Sequence, residues 1–143
     1  MKTYLVALDN SARAPHVLAA ASELAQSTGA KLVLFRSIGL PHELPVDTYA
    51  MSPDGVIDML RQRAANELQE LAKAVPSGVL FATRVEVGAP WQAIGAVGRE
   101  IGAQLVIIGS HGFSGVDRLL GTTATRVVNH ADRSVLVVRS SLP

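Results

Sequence analysis

The residues best suited to chemistry crowd into one stretch, GSHGFSGVDRLLGT, running from Gly109 to Thr122. The aliphatic run Leu105 to Ile108 leads straight into Gly109-Ser110-His111-Gly112, and Gly121-Thr122-Thr123 closes the stretch. Glycine lets main chain approach an anion closely and reach positive φ. Successive amide N–H groups can then form a concave donor surface. A helix starting near Thr122 would aim unpaired N–H groups and its positive dipole end at the same place. The hydroxyls of Ser110, Thr122 and Thr123 add donors. Such hydrogen bonds to a charged partner contribute about 1.5–3 kcal/mol each, and micromolar binding requires about 8 kcal/mol. The stretch therefore suits a phosphate group. The plain alternative is a tight turn in which the glycines serve geometry alone.

Several phosphate motifs are excluded. No Gly-Lys-Ser/Thr follows the glycines, so this is not a Walker loop. The dinucleotide fingerprint belongs after the first strand, where LDNSARA has no glycine. The Ser-Gly-Gly of enzymes that cleave ATP to pyrophosphate is missing there too. The pattern favours binding over built-in hydrolysis. The histidines at 16, 42, 111 and 130 have no metal-ligand spacing. His111 lies inside the loop, where it either touches phosphate or points to solvent. Arg118 and Arg126 are nearby cations that either meet an outer phosphate or stay solvated. Trp91 reads as core or interface rather than as a platform for a base. No side chains form a nucleophile with its base, and neither Asp117 nor Asp132 stands out as a general base.

These residues need a scaffold. The chain has 143 residues, enough for one domain, which at that size buries roughly 70% of its unfolded surface without staples. Apolar residues make up 48%, charged residues 17% and aromatics 4%, so the core is aliphatic, and part of the apolar excess suits a subunit interface. Cysteine is absent, which removes disulfides, thiolate metal sites and a cysteine nucleophile, and fits a reducing cytoplasm. The start, MKTYLVALD, is broken too early by Asp9 for a signal peptide or membrane span. A net charge of +1 with no basic block lacks the footprint of a nucleic-acid binder.

Five runs read as strands: Tyr4–Leu8, Lys31–Phe35, Val79–Val87, Leu105–Ile108 and Val135–Val138. Four are near-continuous aliphatic runs, as expected of parallel strands covered on both faces. The third alternates more and reads as nearer an edge. Val17, Ala21, Leu24 and Thr28 share a helix face that stops at Gly29. A second helix opens at Ser52-Pro53-Asp54, with its apolar stripe reaching Val75 before Pro76. A third runs from Pro90 to a stop at Gly102, and a fourth from about Thr122 to Asn129. This alternation predicts a single-domain α/β fold, an open parallel five-stranded sheet with helices on both faces. Ile38 to Met51 breaks the rhythm and reads as a long loop, either a lid or a solvated connection.

VALDNS, VGAPWQAI, LVIIGSHGFSG, LLGTTATRVVNHA and SVLVVR together resemble the universal stress protein family over essentially the whole chain, most specifically in its last third. The resemblance implies a Rossmann-like sheet of order 3-2-1-4-5, akin to the adenine nucleotide alpha hydrolases. It also implies a homodimer paired through the last strand, 135–138, and, in one branch, ATP binding. That branch carries Gly-x2-Gly-x9-Gly-Ser/Thr. Gly109 and Gly112 match the first glycines and Gly121-Thr122 the last pair, but eight residues rather than nine separate Gly112 from Gly121, so the turn is tighter. By the same resemblance Ala7 and Leu8 line an adenine slot, the Ser37 main chain reads the adenine edge, and Ile108 packs on the nucleoside side. Asp9 either accepts from ribose hydroxyls or caps the first helix. Gly88 and Pro90 match a structural turn. Mg²⁺ would arrive on the phosphates, which often hold it.

Three functions follow as expectations. One is an ATP-binding, dimeric, cytoplasmic stress regulator acting on a protein partner. The second is a slow ATPase or self-phosphorylating protein using Ser110, Thr122 or Thr123 as acceptor. The third is a dimeric interaction module without nucleotide.

Overall fold

The strands of this protein must hide side chains on both faces, and their alternation shows how. In a computed structural model, which describes residues 1–39, 52–110 and 120–139, the elements are β1 (Thr3–Ala7), α1 (Ala14–Thr28), β2 (Lys31–Ile38), α2 (Pro53–Ala72), β3 (Leu80–Val87), α3 (Pro90–Ile101), β4 (Leu105–Gly109), α4 (Thr122–His130) and β5 (Ser134–Val138). All strands pair in parallel in the order β3-β2-β1-β4-β5. Tyr4 lies between Leu32 and Leu105, which sets the register of the three inner strands.

Tyr4, Val6, Leu8, Leu32, Leu34 and Ile107 pack beneath α1 and α2. Leu5, Val33, Phe35, Val106 and Ile108 pack beneath α3 and α4. Both faces are therefore apolar, as parallel strands flanked by helices require. The alternating run is an edge strand, β3, as its pattern suggested. Val135–Val138 is covered on both faces, Leu136 and Val138 packing on the α1–α2 core and Val135 and Val137 on the α3–α4 core. It lies in β5, the other edge, where only Val138 is buried.

The helix ends follow local chemistry. Ser52 Oγ accepts from the Gly55 N–H at 3.1 Å, so the second helix begins where serine, proline and an acid marked it. Gly29 and Gly102 stop α1 and α3 at φ 74° and 64°, a left-handed cap that side chains disfavour. The apolar stripe of α2 outlasts the helix. Helical bonding stops at Ala72, and a turn carries Val75 onto the core, with its N–H donating to Ala72 O at 3.0 Å. Asp9 does not cap α1. The N-cap is Arg13, and Asp9 Oδ1 instead accepts from the Ser11 N–H at 2.9 Å. Ser11 Oγ in turn accepts from the Arg13 N–H at 3.2 Å.

Leu68 anchors α2 on the sheet and is fully buried. Leu68→Ala is expected to lower the unfolding free energy by about 3 kcal/mol with an unchanged denaturant slope, as measured by urea titration.

Candidate functional site

The chain leaves β1 toward β2 but returns through β4 on the other side, so the strand order reverses at β1. A crevice opens at the carboxyl ends of strands at such a point, because the flanking connections run in opposite directions. Here it is a cavity of about 600 Å³. Ala7, Leu8 and Asp9 enter it from the end of β1, Ser37 from β2, Ile108 and Gly109 from β4, and Thr122 and Thr123 from the first turn of α4. The structure thus gathers eight residues from four separate segments around one space.

The remaining expected residues lie differently. Ser110 and Gly121 are buried behind the lining, and Ser110 is 2% exposed. They clasp each other: the Ser110 N–H donates to Val138 O at 3.0 Å, and Ser110 O accepts from the Gly121 N–H at 2.8 Å. That clasp brings the two ends of the glycine-rich segment together, between the end of β5 and the start of α4. His111, Gly112, Asp117 and Arg118 lie outside the described residues, as does the segment 40–51, with His42 in it, that read as lid or connection. Arg126 is exposed on α4 and does not line the cavity.

Neither described loop glycine uses positive φ. Gly121 is an N-cap in extended conformation, at φ −64° and ψ 167°. Gly109 sits in close space: a Cβ there would stand 3.2 Å from Val17 Cγ2 of α1, so Val17 would have to move by a few tenths of an ångström. The close approach brings α1 against the end of β4, and both residues line the cavity.

The α4 N-terminus has no side-chain cap and no acid in its first turn. Thr122 and Thr123 of that turn line the cavity, and among the described residues its N–H groups and dipole end meet no built-in anion. Among the described residues the lining also holds Arg13, Arg36 and Arg63 against Asp9 and Glu67, three cations against two anions. Sequence reading missed all of these but Asp9. Arg36 is the most unusual. It follows Leu32 and Leu34 on the α2 face of β2 and is only 7% exposed. Its Nε donates to Leu8 O at 3.1 Å, its Nη2 to Asp9 O at 2.8 Å, and its Nη1 to Glu67 of α2. The available signal was a charge continuing the buried alternation of an aliphatic strand. It went unread because the strand was ended at Phe35.

Trp91 packs against the α3–α4 core and stacks at 4.6 Å on His130, away from the main cavity. His130 Nδ1 donates to Arg126 O at 2.8 Å in the last turn of α4. Among the described residues, no three His, Asp or Glu side chains gather as a metal site. No helix among them is long and apolar enough to cross a membrane. At the surface Arg84 bonds Glu100 and Glu86, and Arg133 bonds Asp132 at 3.0 Å. These partners hold the Glu100 and Asp132 carboxyls below their usual range.

Gly109→Ala is expected to destabilise the fold by about 1 kcal/mol by forcing Val17 aside. The effect should vanish in a Val17→Ala background, which urea denaturation of the four proteins checks as a double-mutant cycle.

Comparison with known proteins places this architecture. The model of the Universal stress protein family matches residues 1–139. Universal stress protein YxiE of Bacillus subtilis is 30% identical, with 94% of this chain and 97% of that protein aligned. A universal stress protein solved in complex with cAMP superposes with a TM-score of 0.67 at 26% identity, covering 98% of each chain. The universal stress protein of Archaeoglobus fulgidus in complex with dAMP superposes at 0.62 with 19% identity, covering 97% of this chain and 98% of that one, a likeness of fold. Together with the five-stranded parallel sheet and its four helices, these matches show that the chain belongs to the universal stress protein family.

Proposed function

We propose that this protein binds ATP in the crevice between β1 and β4 and works as a dimeric, cytoplasmic stress-response regulator. The observation that carries the reading is the convergence of Asp9, Gly109, Thr122 and Thr123 on one cavity that receives the free N-terminus of α4. The volume of about 600 Å³ falls within the roughly 300–1,000 Å³ of small-molecule sites. Among the described residues of the lining cations outnumber anions by one, and that charge and the helix dipole both favour an anionic ligand. A family member 26% identical to this chain is known with cAMP bound.

In this reading Ala7, Leu8, Ser37 and Ile108 enclose the adenosine end, and Asp9 accepts from ribose hydroxyls. Gly109, Ser110, His111, Gly112, Gly121, Thr122 and Thr123 serve the phosphates, with Mg²⁺ carried on them. β5 supports the dimer. It is an edge strand with an unpaired side, and Val135, Leu136 and Val137 are half-buried apolar residues on it. A second copy adding its own β5 would cover that edge.

Purified protein, once denatured, is expected to release adenine nucleotide, and apo protein titrated with ATP should give binding heat. No nucleotide and no heat at millimolar ATP would overturn the reading. Thr123→Glu places an acid in the first turn of α4, which suits the dipole but repels phosphate. It should weaken ATP binding about tenfold while leaving the apo melting temperature unchanged or raised.

Val137→Asp puts a charge on the edge of β5 and should shift sedimentation toward monomer. A variant that sediments as the wild type would move the interface elsewhere.

A further inference from the structure

We infer that Arg36 is a positioning residue for sugar recognition. Through the main chain it holds the Asp9 carboxylate where the sugar of a bound nucleotide would lie, with Glu67 as its counter-charge. The inference rests on the nucleotide reading above.

Arg36 occupies a place where an aliphatic residue would be the easier choice. Its neighbours on the same strand face, Leu32 and Leu34, are fully buried, and it is 7% exposed itself. Its ion pair is half-open, with the Glu67 side chain 41% exposed, so the pair by itself contributes little stability. Packing and the ion pair therefore do not explain a guanidinium here. Its bonds do. β1 ends at Ala7, and the last pairing with β2 is the Leu8 N–H to Phe35 O at 2.8 Å. The next two carbonyls, of Leu8 and Asp9, take the Nε and Nη2 of Arg36. The third side of the planar fork goes to Glu67, which fixes its rotation.

Asp9 is thus held twice. Its carbonyl is tied by Arg36, and its Oδ1 accepts from the Ser11 N–H. Both ties leave the carboxylate on the cavity wall, where it can accept from a hydroxyl. A carboxylate on a free loop end would have to be ordered on binding, and a pinned one is ordered already. A pinned acceptor should distinguish a sugar bearing its hydroxyl from one lacking it, because the deoxy sugar leaves the acceptor desolvated and unpaired. Triphosphate binding at Gly109 and the α4 N-terminus should not depend on Arg36.

The test is calorimetric titration of full-length protein with ATP, 2′-deoxy-ATP and 3′-deoxy-ATP. The wild type is expected to bind one deoxy analogue about tenfold more weakly than ATP. Arg36→Gln should bind that analogue as the wild type does, within about twofold, but lose the preference for ATP. Arg36→Lys keeps the charge but not the fork, and should recover only part of the preference. Glu67→Gln, which loosens the fork from outside the sheet, should reduce the ratio and serves if Arg36→Gln does not fold. A folded variant at either position that keeps the wild-type ratio overturns the inference. So does a fall in affinity by the same factor for all three ligands, which is what a merely structural role produces. A wild type that binds all three equally overturns it while leaving the nucleotide reading standing. A wild type that binds none overturns both.

Discussion

The reversal of strand order at β1 is the constraint on which the rest of this structure depends. α1 and α2 cover one face of the sheet, and α3 and α4 cover the other. The chain therefore leaves β1 and β4 toward opposite faces, which opens a gap between their carboxyl ends. Everything around the cavity follows from that gap. The ends of β1 and β4 form its floor, and the first turns of α1 and α4 stand on either side of it. The same packing that buries Leu5 and Val6 on opposite faces delivers Ala7, Leu8 and Asp9 to the open edge.

An aliphatic sheet normally excludes charge, so the place where this one admits it is informative. Arg36 continues the buried alternation of β2, yet it lies toward the carboxyl end of that inner strand, beyond the last backbone pair between β1 and β2. The guanidinium satisfies carbonyls that have left the ladder, and Glu67 brings α2 into the same network. Buried main-chain acceptors need partners wherever sheet pairing stops. One arginine thus joins a strand end, a loop and a helix, at the wall of the cavity rather than in the centre of the core.

Glycine in the phosphate-type segment works through shape more than through unusual dihedrals. Gly109 lets α1 come close to β4, and Gly121 starts α4 from an extended conformation. One main-chain bond from Gly121 to Ser110 closes the segment at its base, and a second, from Ser110 to Val138, ties it to β5. That arrangement ties the glycine-rich segment to both β5 and α4, so the candidate ligand site and the edge strand share a hydrogen-bonded framework.

By itself the sequence determined the alternation of strands and helices, and with it the sheet. Continuous aliphatic runs and glycine or proline stops are local signals, which is why Ser52, Gly29 and Gly102 were legible at their helix ends. The loop residues Gly109, Thr122 and Thr123 were legible for the same reason, since residue type and spacing within one segment suffice. Tertiary structure decided what depends on distant partners. It left Val135, Leu136 and Val137 only half-buried, because exposure depends on what packs beside a run in space and not on the run itself. It decided one of the two alternatives for Asp9, removing helix capping in favour of a bond from the Ser11 N–H, since the geometry of the β1 exit sets which N–H the carboxylate reaches. It also assembled Arg36, Glu67 and the two carbonyls, whose 31-residue separation between arginine and glutamate leaves no pattern along the chain. A long-range pair of charges becomes visible only when the sheet and α2 have packed.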